Sequence, residues 1–126
     1  MGGAIRAVGD TYSIGFTESY GAPEILVFGL AREKAHALLS ECALLLTSGQ
    51  TLEANVDNAE VLSGGYKVTF RPVRPECYGA YLGTAMRYYR QTPFSAMVMF
   101  LPDREHRYPW QPGYSYIPAD EPLAIV

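Results

Sequence analysis

At 126 residues and 48% apolar content the chain can bury a core of its own, and its 13% aromatic and 18% charged shares set it apart from disordered sequences. A net charge of −3, from ten basic and thirteen acidic residues, excludes a polyanion binder as a whole and argues against a nucleic-acid partner. Apolar runs such as 43–46 and 96–101 fall far short of the roughly 20 residues that cross a bilayer, and the start Met1-Gly2-Gly3-Ala4-Ile5-Arg6 has no apolar export segment, so a single cytoplasmic domain over 1–126 with no membrane partner is expected.

A short strand is expected at residues 5–8. Thr11-Tyr12-Ser13-Ile14-Gly15-Phe16-Thr17 alternates Tyr12, Ile14 and Phe16 on one face, and Ile25-Leu26-Val27-Phe28 is continuously apolar, as in a strand covered on both sides. Residues 18–23 between them hold Ser, Gly and Pro, which predicts an antiparallel hairpin turning there. From 31 to 48, Ala35, Leu38, Leu39, Cys42, Leu45 and Leu46 recur at steps of three and four, the stripe of an amphipathic helix, with Gly49 placed to close it. His36 lies on the polar shoulder of that stripe, where a surface histidine outweighs a catalytic one.

Residues 51–56 read as a polar strand, followed by a turn at Asp57-Asn58. Gly64-Gly65 then leads into Tyr66-Lys67-Val68-Thr69-Phe70-Arg71, whose alternation predicts a half-buried strand that Pro72 and Pro75 end or confine to a sheet edge. The double glycine precedes a strand and is not followed by Lys-Ser or Lys-Thr, so it is no phosphate loop. A second helix is predicted over 76–91, weakened by Gly79 and Gly83 and closed by Pro93. The apolar run 94–101, bounded by prolines, is the candidate central strand; 102–107 is a charged turn and 108–114 an aromatic loop. These elements predict an α+β domain with an antiparallel or mixed sheet of about five to six strands and two helices packed on it.

Charge is unevenly spread. Residues 1–63 carry −5, residues 64–126 carry +2, and eight of the ten bases are Arg. Dispersed Arg most simply makes surface ion pairs. Cys42, Cys77, His36 and His106 have no two members within five positions, so no metal site and no cofactor are expected, and both thiols are expected to be free and reduced.

Tyr12-Ser13-Ile14-Gly15-Phe16-Thr17, then Pro23-Glu24-Ile25 with Val27-Phe28-Gly29-Leu30, then Pro102-Asp103 and Tyr108-Pro109-Trp110 resemble, in order and spacing, the bacterial family of domain of unknown function 4262. The resemblance runs from about Ile5 to Leu123. It implies a small α+β bacterial protein and brings no established activity. Where the family often has His before Pro-Glu this chain has Ala22; Val98 stands in place of a Gln in the late strand, and Glu121 in place of the Gln of Gln-Pro-Leu. Any family chemistry resting on those polar positions is therefore expected to be lost or altered.

Two functions of different class follow. The first, preferred on sequence, is a non-enzymatic binding module acting on a protein partner or as a homo-oligomer through Tyr108, Trp110, Tyr114 and Tyr116, because Tyr, Trp and Arg dominate interface hot spots. The second is a site for an anionic or nucleotide-like small molecule, binding or enzymatic, with Arg87, Arg90, Arg104 or Arg107 near Glu24 and Asp103. Glu24, between Pro23 and a buried strand, is expected to be partly desolvated, with a raised pKa or an Arg partner. Asp103 and Glu105 beside His106 read as an ordinary turn before a proton-transfer or cation site. A deep Arg-lined pocket favours the second function, a flat aromatic patch the first.

Overall fold

A computed structural model describes residues 10–126; the strand expected at 5–8 lies outside them. Its centre is a mixed four-stranded sheet of β1 (Asp10–Tyr12), β2 (Glu24–Phe28), β3 (Thr69–Pro72) and β4 (Ala96–Phe100), in the order β1-β2-β4-β3. β1 runs antiparallel to β2 with Thr11 opposite Val27; β2 runs parallel to β4 with Glu24 opposite Ala96; β3 is antiparallel to β4 with Arg71 opposite Val98. All five residues of both β2 and β4 are buried. That is why their sequences are unbroken apolar runs apart from Glu24: layers cover both faces.

On one face lies α2, the second helix in chain order (Arg32–Thr47), which buries Ala35, Leu39, Cys42 and Leu46 against Ile25, Val27, Phe70, Met97 and Met99. This is the helix the leucine stripe predicts. The opposite face is covered by α3 (Tyr78–Tyr81) and α4 (Gly83–Tyr89), whose Leu82 link, Ala85 and Tyr89 pack with Ile125 on Leu26, Phe28, Val98 and Phe100. Cys42 is wholly buried beside Met99, 3.9 Å between sulfurs, and burial, with the Glu41 charge adding to it, pushes its thiol up to about 12.

Several expectations need correction. Four strands form among the described residues rather than five to six. Residues 51–56 are irregular, tied to β3 by the Asn55 N–H donating to the Phe70 carbonyl at 2.7 Å; a single bridge, Asn58–Val68, joins the residues just after them to the residue just before β3. The first strand stops at Tyr12, and α1 (Phe16–Tyr20) occupies part of the span read as strand and turn, so Ile14 is exposed while Phe16 is buried. The helix predicted over 76–91 is a short 3-10 turn at Pro75–Cys77 followed by α3 and α4, interrupted at Leu82, whose backbone leaves the helical region at φ −121°, ψ 31°, with Gly83 opening the next helix. A further helix, α5 (Asp120–Ala124), packs near the end of the chain. β3 does lie at the sheet edge, as Pro72 requires.

Gly29 ends β2 at φ 78°, and a Cβ there would meet the Ile117 Cβ at 3.2 Å. Glycine therefore lets the chain turn from β2 into α2 while residue 117 packs against the turn.

Candidate functional site

Two carboxylates are buried, and they lie at opposite ends of the parallel pair. Glu24 begins β2; Asp103 lies three residues past the end of β4. The two ends of β2 are about 13 Å apart.

Glu24 is fully buried. Its Oε1 accepts from the Ser13 hydroxyl at 2.7 Å and the Phe16 N–H at 3.2 Å. Its Oε2 accepts from the Gly15 and Thr17 N–H groups, at 3.2 and 3.0 Å, and from the Tyr89 hydroxyl. The Ser13 hydroxyl oxygen in turn accepts the Ile25 N–H at 3.0 Å. A side chain from β2 thus supplies the cap that α1 lacks locally, its negative charge facing the positive end of the helix. The partners are a serine, a tyrosine and backbone N–H groups, so of the two alternatives expected from sequence the Arg partner is not the one found. Burial, then the bond to Glu24, pushes the Tyr89 phenol up from its ordinary value. With five donors around two oxygens, this carboxylate is committed to structure.

Asp103 organises the other end. Oδ1 accepts the N–H groups of Glu105 and Arg107, both at 2.9 Å; Oδ2 accepts the Arg107 Nε–H at 3.0 Å and the Ser115 N–H at 3.1 Å. Burial acts to raise its pKa, but these four bonds outweigh that and hold the carboxyl below its ordinary range. The Tyr114 hydroxyl donates to the Leu101 carbonyl at 3.0 Å, and burial pushes that phenol up to about 12. A single aspartate therefore closes the loop 103–115 on itself. Gly113, at φ 85°, is part of the closure: a Cβ there would stand 2.6 Å from an Arg107 terminal nitrogen.

Between this loop and α2 opens a cleft of about 580 Å³. Leu38, Leu62, Leu101 and Pro102 form its apolar wall; Lys34, Arg104, Arg107, Glu105, Ser115, Tyr66 and Tyr116 bring polar groups, with Asp103 beneath. Tyr66 is stacked on His106, 4.5 Å between ring centroids and 15° between planes, and its hydroxyl donates to the Arg104 carbonyl at 3.3 Å. The cleft sits beyond the carboxyl ends of β2 and β4, where α/β sheets commonly hold ligands.

Of the residues nominated from sequence, the fold brings Asp103, Arg104, Arg107 and Tyr116 to this cleft. Arg87 lies on α4, donating to the Thr84 hydroxyl at 3.3 Å, and Arg90 ends α4 at φ 54° beside Gln91, Thr92 and Pro93; neither meets Asp103. Glu24 is at the far end. The Trp110 indole lies outside the cleft, 37% exposed: the Arg71 guanidinium carbon is 3.6 Å from its ring centroid, Tyr108 stacks on it at 5.3 Å, and Phe100 meets it edge-on at 5.4 Å. Tyr108 is itself pinned by donating to the Lys67 carbonyl at 2.8 Å. Sequence reasoning missed Lys34, Leu38, Leu62, Tyr66 and Ser115. Only the four-residue spacing of Lys34 and Leu38 on one helix face hints at a shared surface.

Among the described residues no group of three or more His, Cys, Asp or Glu side chains could hold a metal ion, and no helix is long and apolar enough to cross a membrane. No curated protein and no solved structure matches the chain. The model of domain of unknown function 4262 matches residues 4–115, a span that takes in all four strands, Glu24 with its capped turn, and the Asp103 loop through Ser115; the chain belongs to the DUF4262 family.

Proposed function

We propose that this protein binds a small molecule in the cleft between α2 and the loop after β4. The observation that carries the reading is the cleft itself: about 580 Å³, within the size range of ligand sites, with an aliphatic wall and a few polar groups converging on it. Its loop wall is held in place in advance by Asp103, so little ordering entropy remains to oppose binding. This favours the second of the two functions expected from sequence over the first. The test is a fragment screen read by amide chemical shifts on the labelled protein. Binders should shift Leu38, Leu62, Tyr66, Arg104 and Ser115 together; shifts gathered elsewhere would refute the proposal.

A second reading, protein recognition, is favoured by one observation. The Arg71–Trp110–Tyr108 stack is partly exposed and mixes the residue types that anchor interfaces. In that same screen a protein-binding surface would leave the cleft amides unmoved.

A further inference from the structure

Resting on the cleft being a small-molecule site, we propose that its ligand is a monoanion, a carboxylate carried on an apolar or aromatic body, and not a phosphorylated compound. Three observations converge on that chemistry. The first is the state of the backbone donors. A phosphate is usually cradled by several main-chain N–H groups, but in this loop the N–H groups of Glu105, Arg107 and Ser115 already serve the Asp103 carboxylate. The protein's own anion fills that cradle.

The second is the charge left over. Arg107 is answered by Asp103, 3.0 Å away. Lys34 and Arg104 line the cleft with side-chain nitrogens that have no partner among the described residues, and Glu105 faces the same space. Two uncommitted cations against one uncommitted carboxylate leave a single positive charge. It matches one negative charge, whereas a second would meet Glu105. The third is the wall. Leu38, Leu62 and Leu101, with the ring of Tyr66 held by its stack on His106, present aliphatic and aromatic surface next to the cations. A bare inorganic anion would leave that surface wet, while an amphipathic acid covers it.

The test uses four probes, three of them sharing one body: phenylbutyrate, phenylbutanol and phenylbutylamine, with phenyl phosphate as the dianion. Each is titrated into the full chain and read by amide shifts at Leu38, Arg104 and Ser115. Phenylbutyrate should bind more tightly than the alcohol by about fivefold or more, and the amine should bind weakest. The double change Lys34→Gln with Arg104→Gln should bring phenylbutyrate down to the alcohol and leave the alcohol unchanged. Glu105→Gln should strengthen phenyl phosphate more than phenylbutyrate. If the alcohol or amine equals phenylbutyrate, or phenyl phosphate binds tightest to the unaltered protein, the monoanion assignment is overturned while the cleft stands. If no probe moves those amides, the cleft reading falls with it.

Discussion

Replacing Glu24 by Gln preserves side-chain volume and removes one acceptor oxygen from a site with five donors around it. If the amide oxygen keeps the bonds from Ser13 and Phe16, the amide nitrogen stands where Oε2 stood and confronts the N–H groups of Gly15 and Thr17. The Tyr89 hydroxyl can rotate to accept from the amide, and it already accepts the Gly15 N–H at 3.1 Å; the Thr17 N–H has no such second acceptor. An orphaned donor costs about 1–3 kcal/mol, the Gly15 N–H loses only one of two acceptors, and because both groups are partly buried rather than sealed, water recovers some of the loss. A net loss of about 2 kcal/mol is expected, a large fraction of the 5–15 kcal/mol that typically separates native from unfolded states. At about 3–6 °C per kcal/mol for a domain of this length, melting should fall by about 6–12 °C. The assay is thermal unfolding by circular dichroism, joined to hydrogen exchange at Gly15, Phe16 and Thr17, which should lose protection. A Glu24→Gln protein melting within about two degrees of wild type would refute the assignment of this carboxylate as the cap of α1.

Asp103 is the pH-sensitive element of the cleft. Its native pKa is depressed, so the stability it brings is complete above the ordinary carboxylate value and is lost as pH falls through the lower native one; Asp103→Asn should flatten the acid limb of a melting-temperature profile, and an unchanged slope would count against the four-bond network. Trp110→Ala removes an indole that is one third exposed but packed on Phe100, Arg71 and Tyr108, so it should cost about 2 kcal/mol rather than the 3–5 of a sealed aromatic, checked by urea unfolding. Cys42 is sealed and its thiol raised to about 12, whereas Cys77 is partly exposed: a chromogenic disulfide reagent near pH 8 should titrate Cys77 promptly and Cys42 only after denaturant is added.

What the sequence made legible was whatever depended on near neighbours. The leucine stripe of α2 and the proline-bounded run of β4 bury a face or a whole strand, and burial writes itself into periodicity. Pro72 marked an edge because it removes a ladder donor. The illegible elements depend on partners far along the chain. Nothing between Gly15 and Tyr20 announces a helix, because its cap is a carboxylate on another strand and its other anchor, Tyr89, is on α4. The cleft draws Lys34 and Leu38 from α2, Leu62 and Tyr66 from an irregular connection, and Arg104 and Ser115 from the final loop. No spacing rule links those segments. Residues 102–107 read from sequence as a charged turn, with Asp103 and Arg107 as separate ligand candidates, yet their contact with one another, which shapes the site, is an i to i+4 ion pair outside any helix.

The central pairing of the sheet has a consequence for how the molecule comes into being. Glu24 of β2 lies beside Ala96 of β4, so the two innermost strands are separated by most of the chain, and no hairpin can bring them together early. Closing so long a loop must precede the reward of pairing, which places this domain among slow-folding topologies despite its size. During synthesis α2 emerges well before β3 and β4, two of the strands against which it finally rests. For that interval Leu39 and Leu46 have only the residues before the helix, such as Phe16, Ile25 and Val27, to shelter against, and Met97 and Met99 do not yet exist. The nascent chain is thus most open to unwanted association between the completion of α2 and the release of β4.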